Sequence, residues 1–177
     1  INMVNSMVEK VQLEIGTRIP QVLNVERARS QRIYQIVHDY ENAIRLVGHD
    51  VREGNPSPGN MEGGLTTLEE KSLGCIHKGG HAPVNEVYDY AKQVDKNMGL
   101  VIMDTPGNDP SSVAGMAAGG CQICLFSTGR GTPTGNPIVP VIKITGNKVT
   151  YANMSDNIDI DASPYIYGKK TLEELGD

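Results

Sequence analysis

The chain has 177 residues with no Trp, one Phe and seven Tyr, enough for one domain whose core must be aliphatic. Its formal net charge is −5 and it has no run of Lys and Arg, which argues against a nucleic-acid surface, since that needs a clustered basic footprint. An anionic small molecule is not excluded, because a few well-placed donors suffice to hold one.

In chain order, Met3, Met7, Val11 and Ile15 set a helical stripe over 2–16, broken at Ile19-Pro20. Ile33, Ile36, Val37, Tyr40, Ile44 and Val47 predict an amphipathic helix over 25–47, with Gly48 as its stop. His38 and His49 fall along or just past it, as surface or capping residues rather than ligands. From Gly54 the texture changes. Fifteen of the twenty Gly lie between Gly54 and Gly135, where the backbone takes positive φ or passes close to something. Thr66, with Glu69 three residues on, fits a capping box that opens a helix. Residues 84–90 predict an edge strand. The run 100–103 is continuously apolar, as a buried parallel strand is, and 121–126 is read as a second buried strand. Between them lie a turn at 105–110 and a short helix of small residues at 111–118. A third strand is predicted over 138–144, irregular at its start because of Pro140, and a helix near 169–175 finishes the chain.

Strand, glycine loop, helix, strand, glycine loop, strand is a βαβ pattern, so the fold class is α/β. Residues 1–50 read as a helical segment leading into an α/β domain over 51–177. Because Ile1 opens in the middle of a helical stripe, a fragment of a longer protein is expected. No apolar run approaches a membrane span and no signal peptide opens the chain. Cys75, Cys121 and Cys124 make an odd count at no disulfide spacing, which fits a reduced, cytoplasmic compartment.

Four stretches carry chemistry. Residues 54–72 run from a Gly/Pro/Asn loop into a helix start bearing Glu69, Glu70 and Lys71. Loop amides, Asn55, Asn60 and the helix dipole suit an anion. Yet acidic first turns are ordinary, and pattern alone favours a solvated loop. Cys75, His77, Lys78 and His81 match no closed zinc spacing. Asp104 ends an apolar strand, where it serves either a ligand or a turn held by Asp and Asn side chains. Thr128 and Arg130 sit on a glycine loop after another apolar run, and Arg grips a carboxylate with two parallel hydrogen bonds. Cys121 and Cys124, three apart within one apolar run, read as core rather than redox pair. No GxGxxG follows a strand and no P-loop is present, so no nucleotide cofactor is expected.

The stretches 54–71 and 78–80, Met103 to Pro110, and Leu125 to Gly131, in that order and spacing, resemble the carboxy-terminal region of the altronate dehydratase (altronate hydrolase) and D-galactarate dehydratase family. The endings 157–162 and 171–176 are similar too, so the resemblance runs from about Tyr34 to the end. His81 departs from the family's pattern and is given no role. The resemblance implies a Rossmann-like α/β domain, with a mainly parallel sheet flanked by helices and no dinucleotide. It implies β-elimination of water from a sugar acid to a 2-keto-3-deoxy acid, in an enzyme dependent on a divalent metal such as Fe2+ or Mn2+. It also implies amino-terminal domains of the same chain as partners, beside the small-molecule sugar acid. A homodimer is a further partner expectation; nucleic acid and membrane are not.

Removing a hydrogen beside a carboxylate builds an enediolate, whose charge a cation or an Arg must meet. Chemistry and motif position then nominate Lys71 or Glu70 as catalytic base, Glu69 and Asp104 as metal ligands, and Arg130 with Thr128 as carboxylate grips. Asn55, Asn60 and Asn108 are nominated for substrate hydroxyls. Two alternatives stay open: a non-catalytic dimerisation or interaction domain of such an enzyme, and a lyase for another 2-hydroxy acid such as sulfolactate, whose enzyme resembles the same region. The chain by itself is expected to be inactive.

Overall fold

In the computed structural model of the chain, the residues described are 27–50, 54–95 and 99–177. The predicted stripe over 2–16 and the break at Ile19-Pro20 lie outside them. The long amphipathic helix forms as α1, Arg27–Leu46. Its stripe puts Ile33 and Val37 in the core, against the first strand. One turn on, the same face carries Glu41, fully buried, with Arg45 Nη2 at 3.4 Å and His38 Nδ1 at 3.7 Å from its carboxylate. Gly48 ends the helix at φ +80°. The His49 and Gly48 amides donate back to the Ile44 and Arg45 carbonyls, the paired bonds of a Schellman stop.

Contacts gather into two compact units, Ile1–Gly120 and Cys121–Asp177. In the first, α1 is followed by α2 (Pro58–Glu62), α3 (Leu68–His77), β1 (Val84–Tyr88), β2 (Leu100–Met103) and α4 (Asp109–Ala118). β1 and β2 pair in parallel, Tyr88 opposite Met103. One more bond, Asp104 N–H to Tyr88 O at 2.8 Å, extends the ladder past the strand ends. After β1 the chain folds onto α4. The Tyr90 hydroxyl donates to Ser111 O at 2.8 Å, and the Val94 amide to Gly119 O at 2.9 Å. The small residues of α4 admit this approach: a Cβ on Gly115 would lie 2.3 Å from the Tyr90 ring.

The second unit holds β3 (Cys124–Ser127), β4 (Val141–Thr145), α5 (Lys148–Asn153), β5 (Ile160–Asp161), α6 (Ser163–Ile166) and α7 (Leu172–Gly176). Its strands pair in parallel in the order β3-β4-β5. β4, α5 and β5 make a short βαβ unit, with α5 against β4.

The fold is α/β, with parallel strands and helices beside them, as expected. Five expectations need correction. The described strands form two parallel sheets rather than one. β2 is half-buried along its length rather than buried, because in a two-stranded sheet each strand is an edge. The run 121–126 yields a strand only from Cys124, and 138–144 only from Val141. Pro140 has no N–H to give a ladder; its carbonyl instead takes the Cys124 amide at 2.9 Å, and pairing starts there. Cys121 stays outside the strand, its thiol on Ile123 O at 2.9 Å. At the start of α3 the N-cap is Thr67, not Thr66: Thr67 Oγ1 accepts the Glu70 amide. Among the described residues no helix is long and apolar enough to cross a membrane.

Candidate functional site

The glycine-rich loop before α3 folds back onto that helix. Ser57 caps α2, and the Asn60 side chain reciprocates onto the Ser57 amide. Asn60 Oδ1 also receives the Ser57 hydroxyl at 2.9 Å. One turn into α3, the Lys71 ammonium meets this loop. It donates to Asn55 Oδ1 at 2.8 Å and to Asn60 Oδ1 at 2.9 Å. The side chain is half-buried, and burial pulls its pKa below the ordinary lysine value, with the neighbouring Cys75 acting weakly the other way. Three of the nominated residues, Asn55, Asn60 and Lys71, are thus brought together across sequence separations of 11 and 16 residues.

The two glutamates beside Lys71 behave differently. Glu70 turns back on the helix start, where its carboxylate accepts the Thr66 hydroxyl at 2.6 Å and the Thr66 amide at 2.8 Å. Those bonds lower its pKa, so it is held ionised and occupied. Glu69 is exposed in the first turn, the position the helix dipole favours for any carboxylate.

Asp104 follows β2 and lies half-buried at the carboxyl ends of the paired strands. Burial raises its pKa, Arg32 of α1 draws it down and Asp89 adds to the rise. Arg32 itself pairs with Asp89, both side chains substantially exposed. A cavity of about 460 Å³ opens beside this pair, lined also by Lys92, Gln93 and Asp95. Nothing local in the sequence announces Arg32, which lies 57 residues from Asp89. Ser57 was legible in principle, as a Ser with Asn three residues on beside a Pro.

Asn108 is the N-cap of α4. Its carbonyl oxygen accepts the Ser111 hydroxyl at 3.0 Å and the Ser111 amide at 3.3 Å.

In the second unit the loop after β3 is tied down. Thr128 Oγ1 accepts the Gly131 amide at 3.0 Å, and Gly129 O accepts the Thr150 hydroxyl at 2.7 Å. Gly131 sits at φ +81°, with Met154 Sδ 2.3 Å from where a Cβ would be. Arg130 is therefore presented, exposed, on a fixed backbone. The Thr128 hydroxyl already holds that loop.

Among the described residues, no three His, Cys, Asp or Glu side chains converge as a metal shell would require. Asp104 has a guanidinium for its neighbour and Glu69 faces solvent. These donors do not fit a divalent-metal site by themselves.

Residues 20–177 match the family model described as D-galactarate/altronate dehydratase, C-terminal. The chain is 39% identical over 173 residues to altronate dehydratase of Escherichia coli, covering 91% of this chain and 34% of that protein. It is 41% identical over 155 residues to altronate dehydratase of Bacillus subtilis, covering 82% of this chain and 31% of that one. It is 43% identical over 147 residues to the (2R)-sulfolactate sulfo-lyase subunit beta of Chromohalobacter salexigens, covering 81% of this chain and 38% of that subunit. The chain therefore spans about a third of the length of the curated relatives it matches. By this match, and by the loop and strand motifs whose geometry is given above, the chain belongs to the D-galactarate/altronate dehydratase family, as its carboxy-terminal domain.

Proposed function

We propose that this chain is part of a sugar-acid dehydratase acting on altronate or galactarate, with Lys71 as general base. The observation that supports the reading is the setting of the Lys71 amine between two carbonyl oxygens. A neutral amine has two N–H donors and one lone pair. With both donors spent on Asn55 and Asn60, the lone pair is left for an incoming proton. Burial favours that neutral form. Glu70, ionised and bonded to Thr66, is the weaker base.

The proton to be taken lies on C2, beside the carboxylate. As Lys71 removes it, the C–H electron pair moves into the carboxyl group and gives an enediolate. That pair then forms the C2–C3 double bond as the C3–O bond breaks, and the departing hydroxide takes up the proton that Lys71 removed, directly or through solvent, and leaves as water. The enol tautomerises to the 2-keto-3-deoxy acid. Arg130, on the loop that Thr128 holds in the second unit, is proposed in its own right as a carboxylate-binding residue. Asn108 is the proposed partner for a substrate hydroxyl through whatever hydrogen-bonding capacity its capping role leaves. A divalent cation would supply positive charge to the enediolate, but the described donors do not assemble its shell, and no step is assigned to it. The three free thiols support a reducing compartment, and cytoplasmic placement is proposed with them.

A second reading, elimination of sulfite from a sulfonated 2-hydroxy acid, has one observation in its favour, the likeness to the sulfo-lyase subunit. An interaction role, including a homodimer, is favoured by Leu125 and Ile138, which are 69% and 84% exposed.

The test is turnover of altronate, galactarate and sulfolactate by the full protein carrying this sequence, read as 2-keto-3-deoxy acid or sulfite formed. Sugar acids are expected to turn over. Lys71→Gln is expected to lower kcat by about 10²–10⁴-fold with KM little changed. Wild-type turnover in that variant removes Lys71 from the chemistry; sulfite as the only product moves the substrate to the sulfonate.

A further inference from the structure

We infer that Asn55, besides holding Lys71, donates a hydrogen bond from its amide nitrogen to a carboxylate oxygen of the bound 2-hydroxy acid. The inference rests on the proposed role of Lys71 for the identity of that acid. The geometry itself comes from Asn55.

The Asn55 carbonyl oxygen accepts from the Lys71 ammonium at 2.8 Å. Lysine carries donors and no acceptor, so this contact fixes which end of the amide faces it. The nitrogen must point the other way. Nδ2 of Asn55 is buried and has no hydrogen-bond partner. An unmet buried donor costs about 1–3 kcal/mol, and folded proteins seldom leave one without a reason. The hydroxyl of Ser72, also buried and unmet, can rotate to find a partner. The Asn55 amide cannot flip without losing Lys71.

What completes Nδ2 must be an acceptor, and it must sit beside an amine. A carboxylate oxygen satisfies both conditions. It also makes chemical sense, because the carboxylate lies one bond from the C2 carbon that Lys71 would deprotonate. As the enediolate forms, negative charge grows on that oxygen, and a donor already aimed at it strengthens the bond in the transition state. One planar side chain thereby sets both the base and the oxyanion donor. Asn60 also turns its carbonyl oxygen to Lys71 and Ser57, but its amide nitrogen is not a buried unmet donor as that of Asn55 is.

The experiment follows the Asn55 side-chain amide by NMR in the full protein carrying this sequence, 15N-labelled at asparagine, during titration with galactarate, and repeats the titration on Asn55→Asp. Asp keeps the oxygen that accepts from Lys71 and removes the donor. A saturable downfield shift of the Asn55 amide protons is expected, with affinity about ten- to a hundredfold weaker in Asn55→Asp while the dispersed spectrum stays intact. Three results overturn the inference: galactarate shifting other resonances while the Asn55 amide stays put, a long-lived water alone bound at Nδ2, or no saturable shift anywhere in the chain. None of these readings depends on turnover. Failure of Lys71 as base would show as a wild-type kcat in Lys71→Gln, with the Asn55 shift of the unsubstituted protein still observed.

Discussion

Three adjacent residues, Glu69, Glu70 and Lys71, look interchangeable as catalytic candidates in the sequence, and their surroundings separate them. Glu70 holds Thr66, and those hydrogen bonds lower its pKa. A carboxyl with a folded pKa below its unfolded one adds stability above the unfolded value, and that stability is lost as pH falls through the folded one. Glu70→Gln is therefore expected to unfold more easily than wild type at neutral pH, with the gap closing as pH drops below the carboxylate range. A urea series across pH checks this, and an equal gap at all pH values would contradict it. Lys71 has the opposite sign of consequence. Its folded pKa is lowered by burial, so its charge opposes folding at neutral pH, and the penalty fades as pH rises toward the unfolded value. Arg130, exposed on its pinned loop, is expected to act through substrate affinity. Arg130→Ala should raise KM for altronate or galactarate by about tenfold or more, the worth of a charge-assisted hydrogen bond. An unchanged KM would remove the grip. The residue types of this site were legible, because Asn55 and Asn60 stand out on a glycine loop and Lys71 in the helix it runs into. Which ones meet was not legible, because Asn55, Asn60 and Lys71 are joined by a loop that folds back on its helix, and no periodicity encodes that.

At the scale of elements, α4 shows why small residues matter more than helix propensity. Ala in place of Gly115 would gain up to about 1 kcal/mol of propensity in a helix interior. Its Cβ would lie 2.3 Å from the Tyr90 ring, whose hydroxyl is anchored on Ser111 O, and such overpacking costs about 1–3 kcal/mol. The steric effect is expected to win, so Gly115→Ala should be destabilised in urea unfolding. The loss should largely vanish in a Tyr90→Ala background, as a double-mutant cycle would report; an equal loss in both backgrounds would contradict the contact. Helix α1 was legible almost to the residue, since its stripe, its length and Gly48 all agree. The strands at 100 and 84 were legible as well. The ends of β3 and β4 were not, because an apolar run does not say where pairing begins; the Pro140 carbonyl does that. α5, β5 and α6 went unread because none presents a continuous apolar run or a repeated stripe.

At the scale of the molecule, the α/β class followed from the alternation of apolar runs and glycine turns, and family membership followed from motifs that are specific only jointly. The division into two parallel sheets could not be read, because pairing partners are non-local: β1 meets β2 and β3 meets β4 by register, not by sequence pattern. The matched relatives are about three times the length of the aligned region, which is why the chemistry proposed here is to be tested on the full protein. The central claim is that Lys71 works as an amine base whose pKa burial has lowered. The pH dependence of kcat/KM for galactarate, in wild type and Lys71→Gln, tests it most directly. The account predicts a wild-type rate that rises with pH through a group titrating below the ordinary lysine range, and the loss of both the rate and that limb in the variant; a variant that keeps the rate and the same limb would contradict it.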